Sequence, residues 1–119
     1  MNASTVRIVA GTFFLALFFW DTFASRSVSH GQPMFVSDNN GFDWQFINWY
    51  FHHFLGKNPF GHSSTNLGSL YKGVVKDMFV NFKHLRKTKH THNPVDDARG
   101  NAEALLEIKE KHDLKISFK

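Results

Sequence analysis

The segment from Phe42 to Leu55 constrains the fold most, because its apolar residues recur at intervals of three and four positions. The apolar residues concerned are Phe42, Phe46, Ile47, Tyr50, Phe51, Phe54 and Leu55. This spacing predicts an amphipathic α-helix with a wide buried stripe. Gly56 follows directly and suits a helix C-terminus, because glycine adopts the left-handed conformation at little cost. We therefore expect a helix over 42–55 that ends at Gly56.

A short apolar run, Met34-Phe35-Val36, precedes this helix. It is entered through Gln32-Pro33 and left through the polar, glycine-containing stretch 37–41. A short apolar run bounded by turn residues predicts a buried strand that ends in a polar loop.

The middle of the chain gives weaker signals. Residues 57–64 are rich in turn-forming types and predict a loop, and residues 66–75 predict a second helix or helical turn. Residues 78–85 are ambiguous, with a linker or a substrate-facing loop as the favoured assignment. A final strand is predicted over 114–118, where it would close the unit.

The last helix has the clearest start signals. Asn93 can cap the helix, Pro94 suits its first position, and Asp96 and Asp97 place negative charge where the helix dipole favours it. The helix is expected to run to about His112. Its predicted buried face is Ala98, Ala102, Leu105 and Leu106, and its predicted solvated face is Glu103, Glu107, Lys109, Glu110 and Lys111 with a Glu107 to Lys111 pair.

Composition excludes several kinds of chemistry. The chain has 119 residues, enough for one small domain, and no cysteine. Disulfides, thiolate nucleophiles and zinc-thiolate sites are therefore excluded, and a metal would be held by oxygen or imidazole. The formal charge of +4 and the eight histidines favour a polyanionic partner.

The N-terminal segment, residues 1–32, differs from the rest of the chain. An apolar run of about 13 residues from Ile8 to Trp20 follows Arg7 and precedes Ala24-Ser25, and it is short of the roughly 18 to 20 residues that cross a bilayer. A stable membrane span is not expected. Three interpretations stay open: a secretory signal, a buried element of the domain, or a segment not native to the fold.

Asp43 is the first candidate for site chemistry. It lies in the first turn of the predicted helix, directly after a strand and a glycine-containing loop. A carboxylate at such a junction can provide an oxygen ligand for Mg²⁺ near a bound phosphate. The simpler interpretation is an aspartate that stabilises a helix N-terminus.

His92 and Asp97 form the second candidate pair. A histidine in the entering loop and a carboxylate five positions later lie at the same end of the last helix. This arrangement suits metal binding by Asp97 and deprotonation of water by His92, whose unperturbed pKa is near neutrality. The simpler interpretation is a loop histidine followed by acids that favour a helix N-terminus.

Together the two segments resemble the DEDDh 3'-5' exonucleases. Phe35-Val36-Ser37-Asp38-Asn39-Asn40-Gly41-Phe42-Asp43 is similar to that family's second motif, and His92-Asn93-Pro94-Val95-Asp96-Asp97-Ala98 is similar to its third. The resemblance covers roughly residues 33 to 113 and is strongest to short exoribonucleases, which are RNase T-like enzymes. It implies an α/β, partial ribonuclease H-like fold in the domain 33–119, with few strands, flanking helices and the N-terminal strands missing.

The resemblance also implies function. Asp43 and Asp97 match two of four acids that bind Mg²⁺ or Mn²⁺, and His92 matches the base. The implied substrates are 3' ends of single-stranded RNA or DNA, with RNA favoured, and the family often dimerises. A cytoplasmic location is expected, or secretion if residues 1–24 are a signal peptide.

The chain departs from the family pattern at the first motif. That motif needs an Asp-x-Glu pair, which does not occur in this sequence, and Asp21-Thr22-Phe23 does not match it. The expectation is therefore an incomplete two-metal exonuclease. The alternative is a non-catalytic remnant that binds nucleic acid or a partner, and a third interpretation is a secreted histidine-rich metal-binding protein.

Further residues are predicted to contact substrate: Asn40, Phe42 and Trp44 beside the second motif, and Lys87 and Lys89 before the third. For the aromatic residues Trp44, Phe46, Trp49 and Phe60, base stacking competes with a place in the core. For the lysines, contact with the substrate backbone competes with a solvated face. A zinc site at His52 and His53 is disfavoured, because adjacent side chains on a helix point in different directions.

Overall fold

The structure, a computed structural model, describes residues 33–116, and these form a small α/β unit. In chain order its elements are β1 (Phe35–Ser37), α1 (Asn40–Leu55), β2 (Ser64–Asn66), α2 (Leu67–Val75), a 3-10 helix (Lys83–Leu85) and α3 (Pro94–Lys111). The expectations for residues 1–32 fall outside the described part of the chain. No helix within residues 33–116 combines the length and the apolar character that a membrane crossing needs.

β1 and β2 form a two-stranded parallel sheet, in which Phe35 pairs with Ser64 and Ser37 with Asn66. Parallel neighbours need a crossover connection, and α1 provides it, so β1, α1 and β2 make a βαβ unit. The sequence predicted β1 but assigned the start of β2 to a loop. β2 has the sequence Ser-Thr-Asn, which has no apolar run, so the hydrophobic pattern gave no strand signal there.

Successive residues of β1 point to opposite faces of the sheet. Phe35 packs on one face with Phe51 and Phe60, while Val36 packs on the other in a larger cluster. That larger cluster is built from Val36, Leu67, Phe82, Leu85, Ala104, Leu105 and Ile108. The sheet therefore lies between α1 on one side and α2 and α3 on the other.

The predicted buried stripe of α1 is wrong in most positions. Phe51 is buried and Ile47 is half-buried, but Phe42 is 63% exposed and Phe54 60% exposed. The helix packs through a narrower stripe that includes Trp44, because it covers only the small cluster around Phe35. The helix itself is confirmed and begins two residues earlier than predicted, at Asn40.

The helix ends follow the predicted capping chemistry. The Asn93 side chain accepts a hydrogen bond from the Val95 amide at the start of α3, and Asn66 does the same for Ser69 in α2. Gly56 ends α1 in the left-handed conformation at φ 68°. An asparagine cap of this kind contributes about 1 kcal/mol.

The buried face of α3 differs from the prediction. Leu105 is buried as expected, but Ala104 and Ile108 lie in the core while Leu106 is 47% exposed. Ala98 and Ala102 are half-buried. From Asn101 onward, the buried residues of α3 recur at intervals of three and four positions. The prediction did not include Asn101 because this residue is polar.

The predicted final strand does not form over residues 114–116, and residues 117–118 lie outside the described chain. Leu114 and Ile116 instead pack against the larger core cluster. The Glu107 to Lys111 pair on α3 is confirmed, with the Lys111 Nζ atom 2.8 Å from Glu107 Oε1.

Candidate functional site

The end of β1 and the start of α1 are joined by side-chain hydrogen bonds. Asn40 Nδ2 donates to Ser37 Oγ at 3.2 Å, and Ser64 Oγ donates to Asn40 Oδ1 at 2.7 Å. Asn40 is buried, so its amide connects β1, α1 and β2. Substrate contact by Asn40 stays a prediction beside this structural role.

Asp43 lies in the first turn of α1 and is half-buried. Burial raises the pKa of its carboxyl group, a hydrogen bond from Ser37 opposes this, and the nearby Asp38 charge raises the pKa further. The native fold therefore holds Asp43 where its ionised form is less favoured than in water. Active sites commonly place acids in such positions.

Arg86 joins the loop before Asp43 to the helix that contains Asp97. Its Nη2 atom donates to Asp38 Oδ2 at 3.0 Å and to Asn101 Oδ1 at 2.7 Å. The Arg86 side chain is only 8% exposed. Asn101 lies four positions after Asp97, on the same face of α3. The loop that precedes α1 and the helix that contains Asp97 are therefore linked by a single buried guanidinium group.

The Asp97 carboxylate contacts His90 rather than the histidine that the sequence selected. His90 Nδ1 lies 2.7 Å from Asp97 Oδ1. This oxygen is buried and receives no well-aligned hydrogen bond within the described residues. His92 packs edge-on against His90, with ring centroids 4.4 Å apart. The structure therefore gathers His90, His92 and Asp97 at the start of α3.

His92 has an unusual backbone conformation. Its φ is 59°, in the left-handed region that non-glycine residues seldom occupy, and its side chain is exposed. The loop is held by Thr91, whose Oγ1 donates to Asp96 Oδ2 at 2.7 Å, and by the Asn93 cap. A strained residue fixed in this way is a candidate for function.

The basic segment before this loop, residues 83–89, is anchored to α3 by Glu103. The Glu103 carboxylate accepts hydrogen bonds from the amides of Lys87 and Thr88 at 2.8 and 2.7 Å, and from Thr88 Oγ1 at 2.8 Å. These bonds lower the pKa of Glu103. A Cβ added at Gly100 would lie 3.2 Å from Arg86 Cδ, so the glycine permits the close approach of this segment to α3.

A cavity of about 330 Å³ lies between the β1–α1 loop and this basic segment. It is lined by Asp38, Asn39, Lys83, Arg86, Lys87, Thr88, Lys89 and His90. The predicted substrate-contacting residues Lys87 and Lys89 therefore face a common space. His90, on the wall of this cavity, also contacts Asp97.

The aromatic candidates divide into two groups. Trp44 is half-buried against Phe35 and Phe60, with ring centroids 5.8 and 6.4 Å apart, which matches the interpretation of Trp44 as a core residue. Phe60 is also buried in the core. Phe42 is exposed and contacts Phe46 in an edge-to-face arrangement, with ring centroids 5.0 Å apart.

Sequence reasoning missed Asp38, Arg86, His90, Asn101 and Glu103. Arg86 was given no predicted role, and Glu103 was assigned to the solvated face of α3. Their roles depend on contacts between residues at least 7 and as many as 48 positions apart. Local periodicity contains no information on such pairs.

The carboxylates of Asp43 and Asp97 have the oxygen chemistry that Mg²⁺ and Mn²⁺ prefer. Across residues 33–116, however, no group of three or more histidine, aspartate or glutamate side chains is arranged to hold a metal ion. The two acids therefore fit a divalent cation by their oxygen chemistry and not by the number of ligands.

Comparison with known proteins finds a partial sequence match to an exonuclease. The chain is 54% identical over 41 residues to a protein from Escherichia coli named 3'-5' DNA exonuclease Cap18. The match covers 34% of this chain and 22% of that protein, so the chain spans less than a quarter of the relative's length in the match. A scan against protein-family models finds no match. The shared stretch supports a 3'-5' exonuclease relationship.

Proposed function

We propose that this chain provides part of the active site of a metal-dependent 3'-5' exonuclease of the DEDDh class, with a ribonuclease H-like fold. The observation that supports this most is the buried Arg86, which joins Asp38, five residues before Asp43, to Asn101, four residues after Asp97. A βαβ unit with helices on both faces of its sheet is compatible with that fold. The partial match to a named exonuclease supports the same function.

In this proposal Asp43 and Asp97 hold Mg²⁺ or Mn²⁺, and His92 accepts a proton from the attacking water. The bound metal would supply activation of water and charge stabilisation at the phosphodiester. Asp43 would offer a carboxylate kept at the junction of β1 and α1 by its bond to Ser37. His92 would work from a loop fixed in position by the Thr91 and Asn93 hydrogen bonds.

The proposed substrate is the 3' end of a single strand. Phe42, which is 63% exposed, would stack on a base, and Lys87 and Lys89, which line the cavity, would contact phosphates. Asn40 and Trp44 would contribute by shaping this end of α1. The resemblance to short exoribonucleases favours RNA, whereas the name of the partial relative concerns DNA. Single-stranded RNA and single-stranded DNA are therefore both needed as test substrates.

A second candidate function is binding of nucleic acid without hydrolysis. The specific observation in its favour is that residues 33–116 offer no group of three metal ligands. Under this alternative the cationic cavity still binds the strand, while Asp43 and Asp97 do not support turnover.

The test is the shortening of 5'-labelled single-stranded DNA and RNA by the purified protein with Mn²⁺. We expect a ladder of products shortened from the 3' end, abolished in Asp97→Asn and retained in the matched control Asp113→Asn, since Asp113 is exposed. Equal shortening by both variants contradicts the proposal. Binding without shortening by the folded protein supports the second candidate.

A further inference from the structure

The cavity between the β1–α1 loop and the basic segment has an uneven charge. Its walls include the cations Lys83, Arg86, Lys87 and Lys89, and the single carboxylate Asp38. Arg86 binds that carboxylate at 3.0 Å, which leaves the three lysine charges without a carboxylate among the lining residues. Such a cavity attracts a multiply anionic group rather than a neutral or cationic one.

The backbone beneath these lysines is fixed. Glu103 accepts hydrogen bonds from the amides of Lys87 and Thr88, and the buried Arg86 precedes them directly. The guanidinium carbon of Arg86 lies 5.0 Å from the centroid of the Phe82 ring, which is itself in the core. The backbone at Lys87, and at Thr88 directly before Lys89, is therefore held in place before any ligand binds, which reduces the entropy lost on binding.

The dimensions and position of the cavity narrow the choice of ligand. Its volume of about 330 Å³ is at the small end of the range for ligand sites, roughly 300–1,000 Å³. This space suits one phosphate with its sugar. His90 lines the cavity and contacts Asp97, so the cavity lies beside the proposed metal site.

We propose that this cavity binds one backbone phosphodiester of the nucleic-acid strand whose end is at Asp43 and Asp97. Lys87 and Lys89 contact the phosphate oxygens, Lys83 contributes long-range attraction, and Thr88 and Glu103 hold the segment. The inference rests on the proposed function for the identity of the strand. It adds a subsite that acts on strand binding and does not need a metal.

The test measures binding of a fluorescent single-stranded oligonucleotide by anisotropy, in EDTA, at several salt concentrations. The double variant Lys87→Gln, Lys89→Gln is expected to bind about tenfold more weakly, with a salt dependence less steep by about 1.4 in the log-log slope, as two lost phosphate contacts predict for a single strand. The control, Lys57→Gln with Lys115→Gln, changes the net charge equally at exposed positions outside the cavity. It is expected to retain the native slope.

Equal weakening in the two double variants would overturn the subsite, because it would mean that only net charge matters. A second arm adds a nucleoside 5'-monophosphate as competitor. Failure to displace the strand at millimolar concentration supports a phosphodiester subsite, and full displacement overturns it in favour of a free-nucleotide site. Weaker strand binding by the cavity variant, together with absence of 3' shortening by the unmodified protein, would support the subsite and contradict the exonuclease, so the two failures are distinguishable.

Discussion

His90 Nδ1 lies 2.7 Å from Asp97 Oδ1, so the acid that the sequence pairs with His92 is contacted by the histidine two positions earlier. The His92 ring packs edge-on against the His90 ring, and His92 is itself exposed. This arrangement leaves the His92 imidazole accessible to solvent at the start of α3, while His90 holds the carboxylate.

The two histidines are therefore expected to differ in function. The variant His92→Ala should reduce the rate of 3' shortening by a factor on the order of 10² to 10⁴, the usual contribution of a general base. His90→Ala, which removes a contact of Asp97 but not the proposed base, should reduce it less. The measurement is the single-turnover rate with Mn²⁺ for each variant. A larger loss in His90→Ala would instead assign the base to His90.

The ionised carboxylate of Asp43 is expected to destabilise the folded protein. Because burial raises its pKa, the folded state binds its proton more tightly than the unfolded state does, and ionisation at neutral pH disfavours folding. Asp43→Asn should therefore raise the melting temperature at pH 7 while it abolishes metal-dependent activity. Thermal unfolding by circular dichroism checks the first effect. A lower melting temperature for this variant, with Asp113→Asn unchanged, would contradict it.

The Arg86 link predicts a stability effect at Asn101. Asn101 is buried and accepts the 2.7 Å hydrogen bond from Arg86, so Asn101→Ala leaves part of a buried guanidinium group without its partner. The expected cost is about 1 to 3 kcal/mol in the free energy of unfolding, measured with urea. Arg99→Ala, at an exposed position of the same helix, should change it by less than about 0.5 kcal/mol. Similar values for the two variants would show that the link contributes little.

The stabilising hydrogen bonds that the Glu103 carboxylate accepts are expected to be lost in acid. Its pKa is lowered by the hydrogen bonds from Thr88 and Lys87, so its contribution to stability is present above the ordinary value of 4.5 and is lost as the pH falls through the lower pKa of the folded state. Glu103→Gln should remove this contribution at neutral pH and flatten the decline of the melting temperature below pH 4.5. The control is Glu110→Gln on the exposed side of α3. An unchanged acid profile for Glu103→Gln would refute the prediction.

The sequence predicted elements whose signals are local. The strand at Phe35, the helix ending at Gly56 and the helix capped by Asn93 depend on neighbouring residues, and all three are present. Burial was predicted less well, since Phe42 is largely exposed and Ile108 is fully buried. Which apolar side of a helix is covered depends on its packing partners, and these lie far away in the chain.

The same distinction applies to the candidate site. Asp43, His92 and Asp97 were selected from two short segments, and the structure places each at the element junction that its motif predicted. The groups between them, Arg86 and Asn101, make contacts that no spacing rule identifies. Polar residues in the interior of an α/β unit therefore need the structure before a role can be given to them.

Binding of one divalent cation by both Asp43 and Asp97 can be tested by replacing the cation with Fe²⁺. Ascorbate and peroxide then generate hydroxyl radicals at the bound iron, and the positions of polypeptide cleavage are mapped by mass spectrometry, a readout that needs no turnover. Cleavage is expected close to both Asp43 and Asp97, and it should be lost at both places in either Asp43→Asn or Asp97→Asn. Cleavage near one of the two acids alone, or cleavage unchanged by both substitutions, would show that the two acids do not share a cation.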